Sequence, residues 1–250
     1  MRLRTTDTPW QAGLVAACIS CLTACSSAPD PNESLRRVDD FNSHIEKMHV
    51  ESELAQRRVR SCAESFLALM DDDRKANAAR IFTGFQASIN SSEEQLESFK
   101  TQILIVEESS RPVFEKWRND LRAIVKTSLR QRSEERLDKA RERYLDMIED
   151  AKRAATGFEL FNQEIKDIAL FLSNDLNEGA IDNLQPELES VATLGEDIDD
   201  RLTETMLSAQ VYLQNAGEEI NVDPEEVPAD PESVPAGPIG PVPAGPSSGR

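Results

Sequence analysis

The sequence predicts an all-α fold, an elongated antiparallel bundle of three or four long, coiled-coil-like helices. Three observations point to it. Between Asn32 and Asn215 there are only two prolines, Pro112 and Pro186, and four glycines. Helix breakers are that sparse only where helices are long. Through most of that span apolar residues recur at alternating steps of three and four, the period of a helix buried along one stripe. Aromatics make up 5% of the chain and charged residues 30%, a balance that suits amphipathic helices better than a thick globular core.

The first 24 residues read as a targeting segment outside that fold. Arg2 and Arg4 give a basic start, and an apolar run follows from Ala12 to Leu22. The run is too short to span a bilayer and fits the hydrophobic region of a signal peptide. Next comes Leu22-Thr23-Ala24-Cys25. This stretch resembles the bacterial lipobox, in which the signal peptide is cut just before a cysteine whose thiol carries diacylglycerol. Val15-Ala16-Ala17-Cys18 also matches, but its hydrophobic run would be short, so lipidation is assigned to Cys25. An ordinary secretory signal or an uncleaved membrane stub is the alternative. Ser26, rather than Asp, follows Cys25; in bacteria with two membranes the resemblance then implies an outer-membrane lipoprotein facing the periplasm. Loss of Cys18 and Cys21 with the signal, and lipidation of Cys25, would leave Cys62 alone and no intrachain disulfide.

Residues 25–32 are expected to form a lipidated tether and residues 33–216 the bundle. The first helix is predicted over Glu33 to Met70, with the seam Val38, Phe41, Ile45, Met48, Ser52, Ala55, Val59, Cys62, Phe66, Leu69. Asp71-Asp72-Asp73 reads as a turn whose last Asp caps the next helix; it lacks the ligand ladder and turn glycine of a calcium loop. The second helix is placed from Arg74 or Lys75, with the seam Ala78, Phe82, Phe85, Ile89, Ser92, Leu96, Phe99, Ile103, Val106. Counting on across Pro112 gives Ser110, Val113 and Trp117. That match of phase predicts one helix, kinked at Pro112, to about Val125. A tight reversal is expected at Lys126 to Glu135, where the seam loses phase, with Ser128 as N-cap of a helix from Leu129; a stutter in one very long helix is the alternative.

The third helix has the longest clean seam: Leu137, Ala140, Tyr144, Met147, Ala151, Ala154, Phe158, Phe161, Ile165, Ile168, Leu172. Asn174 to Gly179 supplies the next reversal, since Asn and Gly tolerate the left-handed conformation a helix end needs. The fourth helix is placed from about Ala180, bent or delayed by Pro186, with the seam Ile181, Leu184, Leu188, Val191, Gly195, Ile198, Leu202, Thr205, Ala209, Tyr212. From residue 217 to 250 the composition changes. Eight of the thirteen prolines lie between Pro224 and Pro246, among Glu, Asp, Gly and Ser. Such a segment buries too little apolar area to offset ordering entropy, and a disordered acidic tail is expected.

Arg111-Pro-Val-Phe-Glu-Lys-Trp117, Ser128 to Leu137, Arg143-Tyr144 and Leu172 to Leu184 resemble, in that order, a family of gammaproteobacterial helical lipoproteins called domain of unknown function 2959. The resemblance covers Val38 to Leu213. Pro112 and the Pro-rich tail depart from the family pattern. The family implies no activity, so no site residue beyond Cys25 is carried over.

No catalytic residue, cofactor or metal site is expected. His44 and His49 are the only histidines. A spacing of five sets them ~140° apart on a helix, where a zinc pair needs three or four, so both are expected on the surface. There is no Gly-rich phosphate loop and no further histidine to serve a Ser-His or Cys-His pair, and Glu and Asp mostly occupy positions opposite the seams, as a solvated face would. The formal charge of −18 argues against nucleic acid and against direct adsorption to anionic lipid. The reading that remains is a non-enzymatic envelope lipoprotein, structural or protein-binding, held to the membrane through its lipid and open to a protein partner in the envelope. The alternative is a binder of lipid or other hydrophobic cargo that opens its seams and offers Phe82, Phe85, Phe158 and Phe161.

Overall fold

Four long helices run alternately up and down, and each buries the stripe that its sequence spacing marks. The structure, a computed structural model, describes residues 31–70 and 77–218, with side chains for residues 33–70 and 77–216. The helices are α1 (Pro31–Met70), α2 (Ala78–Ala123), α3 (Thr127–Asn174), the one-turn α4 (Glu178–Asp182) and α5 (Gln185–Glu218). No strand occurs among the described residues. The predicted signal peptide, most of the tether, the Asp71 to Asp73 cap and the Pro-rich tail lie outside them, except that residues 217 and 218, assigned to the tail, belong to α5.

The helices close a four-sided ring. α1 packs against α2 and α5, and α3 packs against the same two. Cross-helix partners give the direction. From α1 to α2, Ser88 Oγ donates to Cys62 Sγ, Gln95 to Glu51 and Gln102 to the His44 carbonyl. One number falls as the other rises, so the pair is antiparallel. The same holds for α2 with α3, α3 with α5 and α1 with α5. At 1.5 Å per residue the 48 residues of α3 make a rod about 70 Å long.

The seams meet in layers. One layer takes a ring from each long helix: Phe41 stands 6.1 Å from Phe114, 5.9 Å from Tyr144 and 5.7 Å from Tyr212, each edge-on. Edge-to-face rings place a positive rim on a negative face, and burial of each removes a large apolar area from water. Near the other end Phe66 stacks on Phe85 at 5.5 Å. Every predicted seam residue of α1 is buried except Val38, which is partly so. The stripe of α3 is wider than its predicted line, since Ile148, Ala155, Gly157, Asn162 and Ala169 are buried too. A helix with two packed neighbours must bury both flanks of its seam.

Three local expectations change. α2 does run unbroken through Pro112 to Ala123; beyond the proline Val113 is buried as expected, but Phe114 and Leu121 join it while Trp117 is only partly buried. The reversal needs just Ile124 to Lys126. The Lys126 carbonyl accepts from Leu129 and Arg130, and α3 starts at Thr127, so Ser128 is already inside the helix and caps nothing. Trp117 Nε1 donates to Ser133 Oγ at 3.0 Å and ties the two arms of this hairpin. The fourth long helix starts late, at Gln185, the delay expected from Pro186, and the separate short α4 fills the stretch from Glu178. Asn177 accepts from Ala180 N at 2.9 Å and starts α4 instead. α4 ends at Asp182, whose carbonyl would have to bond residue 186, a proline with no N–H. Gly179 sits within this short helix rather than at a left-handed helix end.

A few polar groups cross the core. Ser92 Oγ donates to Asn162 Oδ1 at 2.7 Å, and Ser110 and Tyr144 share a bond of 2.9 Å. Both join α2 to α3, and both fix the height of one helix against the other, because a slide by one turn would leave buried groups unpaired. Asn162 Nδ2 already lacks a partner.

Two predictions follow from this packing. Ser92→Ala strands the Asn162 carbonyl as well and should cost about 1–3 kcal/mol, measured by urea unfolding. Gly84 and Gly195 lie inside helices; an added Cβ meets nothing within 4 Å at Gly84 and only Val59 and Phe161 at 3.9 and 4.0 Å at Gly195. Gly84→Ala and Gly195→Ala should therefore each raise stability by about 0.5–1 kcal/mol. Gly157→Ala, whose Cβ would press Ile198 Cγ1 at 3.3 Å, should gain less in the same assay.

Candidate functional site

The end of the bundle at the α2–α3 hairpin differs in chemistry from the rest of the rod. Between Arg111 and Arg143 the sequence carries eleven Lys and Arg against six Asp and Glu. Helical spacing and the tight turn at Val125 place these on two neighbouring arms. An open hollow of about 730 Å³ lies between the arms, lined by Arg118, Leu121, Arg122, Arg130, Glu134, Leu137 and Asp138. Arg118 also borders a second hollow of about 240 Å³, which continues the groove toward Arg111 and Arg141 over Ser110, Phe114 and Tyr144. Apolar Leu121, Leu137 and Phe114 line the two hollows, with the guanidinium groups of Arg111, Arg118, Arg122, Arg130 and Arg141 and the carboxylates of Glu107, Glu115, Glu134 and Asp138 around them. The local cause is periodicity: Arg111, Arg118 and Arg122 fall on one face of α2, beside its buried stripe.

This basic groove could have been found in the sequence from the run of arginines alone, but the overall charge of −18 conceals it.

The titratable groups of the core are held for packing. Burial pushes the Cys62 thiol up to about 11, with the Ser88 hydrogen bond partly opposing the rise. Burial likewise raises the Tyr144 phenol, again opposed by its bond to Ser110. A thiol so placed gives up its proton only in strong base and is no nucleophile at neutral pH.

The histidines are half-buried rather than on the surface. They flank the α1 seam, where α2 and α5 close over them. His49 Nδ1 lies 3.3 Å from the Met206 carbonyl, and its Nε2 lies 3.7 Å from Glu53. Glu46-Lys47-Met48-His49 has the Glu-x-x-His spacing of di-iron bundles. Glu46 is exposed, and no group of three metal-ligating side chains gathers among the described residues. Phe85, Phe158 and Phe161 are fully buried and Phe82 nearly so, all as parts of one core. Cys25 is outside the described residues. No described helix is long and apolar enough to cross a membrane.

A family model for proteins of unknown function, DUF2959, matches residues 36–215. The chain belongs to the DUF2959 family. The match runs from the second turn of α1 to the last turns of α5, so the DUF2959 unit is the four-helix bundle itself, hairpin groove included. No curated protein and no solved structure matches the chain.

The DUF2959 core makes one chemical prediction. Cys62 should resist a thiol reagent at pH 8 in the native state and react fully in denaturant, as followed by release of the reagent's chromophore. The sign of its pH effect is set by the raised folded value. The unfolded thiol loses its proton near 9 while the folded one holds it to about 11. The contribution is thus complete below pH 9 and is lost as pH rises toward 11. Cys62→Ala should flatten that part of the stability profile.

Proposed function

We propose that this DUF2959 chain is a membrane-anchored, non-enzymatic lipoprotein of the cell envelope, structural or protein-binding, exposed to the periplasm. The observation that carries the reading is the Leu22 to Cys25 lipobox, which stands six residues ahead of Pro31, where α1 begins. Several acyl chains on one cysteine give effectively permanent attachment, at about 0.8 kcal/mol per buried CH₂. The form of the bundle is consistent with a scaffold. Its apolar stripes face one another, its shifted thiol and phenol serve the core, and its outer faces are charged. Interhelical ion pairs such as the bidentate Arg60–Asp199 pair, at 2.9 Å for both bonds, lie along the outer edges. Each adds at most about 1 kcal/mol, which suits solubility and alignment more than chemistry.

Cys25→Ala should abolish labelling by a fatty-acid analogue in cells and move the protein from the membrane fraction to the soluble fraction when the membranes are washed in high salt. Retention of label, or of membrane association that survives high salt, would refute the anchor. Cross-linking in cells should then trap a defined protein partner for the wild-type chain.

A further inference from the structure

The charge of this molecule is divided between its ends. The hairpin end has the excess of eleven basic over six acidic residues between Arg111 and Arg143. At the opposite end the α3 and α5 arms, residues 160 to 197, carry nine acids and one base, Lys166, which is paired with Glu93 at 2.7 Å, while Arg57, Arg58, Arg60 and Arg80 stand on the α1 and α2 arms there. At the hairpin end much of the positive charge is uncompensated. Arg111, Arg118, Arg122, Lys126, Arg132, Lys139 and Arg141 are exposed, and none of them has a carboxylate within ion-pair distance among the described residues. Arg130 is paired with Glu134 only at 3.9 Å. Crowding like charges on two adjacent helix ends raises the energy of the folded state, so an anionic partner would relieve it. Guanidinium groups are suited to phosphate oxygens, which they bind in pairs.

The path of the chain says where that partner lies. The first turns of α1 pack against the same hairpin: Ser34, Arg37 and Val38 share a hollow with Pro112, Lys116, Trp117 and Asp120. The acids of those turns, Glu33, Asp39 and Asp40, are nearly balanced by Arg36 and Arg37, and Arg37 is paired with Glu33. Cys25 precedes Pro31 by six residues, a chain length that reaches ~20 Å at most. On the lipoprotein reading above, on which this step rests, the acylated cysteine therefore holds the basic end within that distance of the headgroups. The strongly acidic end is the one held away.

We propose that the α2–α3 hairpin end is a docking surface for anionic phospholipid headgroups, with Arg111, Arg118, Arg122, Arg130 and Arg141 as the phosphate-binding groups, so that the rod stands hairpin-down on the membrane. The net charge of −18 does not oppose this. Screening confines the interaction to about 8 Å at physiological salt, so the surface meets the near end and not the molecular average.

The test is flotation of the full chain carrying Cys25→Ala, so that no acyl chain contributes, with vesicles of phosphatidylcholine alone or mixed with phosphatidylglycerol. At least about tenfold more protein should float with the mixed vesicles, and the excess should fall steeply as salt is raised. The Arg118→Glu, Arg122→Glu, Arg130→Glu variant should lose that excess while keeping Arg2 and Arg4, which separates the hairpin from the basic start of the signal. If circular dichroism shows that variant unfolded, the triple Gln variant is read in its place and should reduce the excess. Equal flotation with both vesicles, none with either, or an excess that survives the variant would overturn the proposal. So would an excess that appears only after residues 219–250 are deleted, because the acidic tail would then be the natural occupant of the groove. Acylation of Cys25 is read separately. A labelled Cys25 with no phosphatidylglycerol preference overturns the docking surface and leaves the anchor standing, and a preference without label does the reverse.

Discussion

Each long helix carries one apolar stripe, and that stripe cannot be covered by a single neighbour. A pair of such helices would leave half of each seam wet. Four antiparallel helices meeting at a common axis cover all of them at once, and the rest of the structure depends on this closure. The layer of Phe41, Phe114, Tyr144 and Tyr212 is its clearest expression, because each ring comes from a different helix and none is buried without the other three. The polar bonds inside the core have a different task. Apolar stripes of repeating spacing slide past one another at little cost, whereas Ser92 with Asn162 and Ser110 with Tyr144 are satisfied at one height only. Apolar burial supplies the cohesion, and these two bonds supply the register.

Much of this was legible in residue order. Spacing of three and four identified nearly every inward position of α1, including polar Ser52, whose hydroxyl donates back to the Met48 carbonyl. It identified Cys62 as a core thiol and Tyr144 as a core ring. Legibility failed where a contact, not a period, decides the outcome. Phe114 turns inward because Phe41 and Tyr144 wait for it. Gln102 and Asn162 are buried, although they are polar and off the seam, because the His44 carbonyl accepts from the one and the Ser92 hydroxyl donates to the other. Helix ends misled for a related reason. Ser128 has the chemistry of a cap, but the hairpin turns before it. Asn177 lies in the stretch assigned to a reversal, yet its side chain starts a short helix there.

The charge pattern shows the same limit at larger scale. A summed charge describes a particle seen from many Debye lengths away, and a 70 Å rod is long against that distance. The α2–α3 arms gather arginine around apolar residues, while the α3–α5 end gathers carboxylates. The candidate site was therefore written in the sequence as a local excess and lost in the average. Its geometry needed the fold, because only the short turn at Val125 brings Arg118 and Arg122 opposite Arg130.

Parity has a last consequence. The bundle makes four passes, and an even number returns the chain to the end from which it set out. The last turns of α5 therefore lie beside the first turns of α1: Tyr212 and Ala216 share a hollow with Val38 and Phe41. The far end carries two connections and neither terminus. Whatever precedes α1 and whatever follows α5 therefore leave from one platform. A bundle of three or five passes, built from the same seams with equal stability, would have put them on opposite poles.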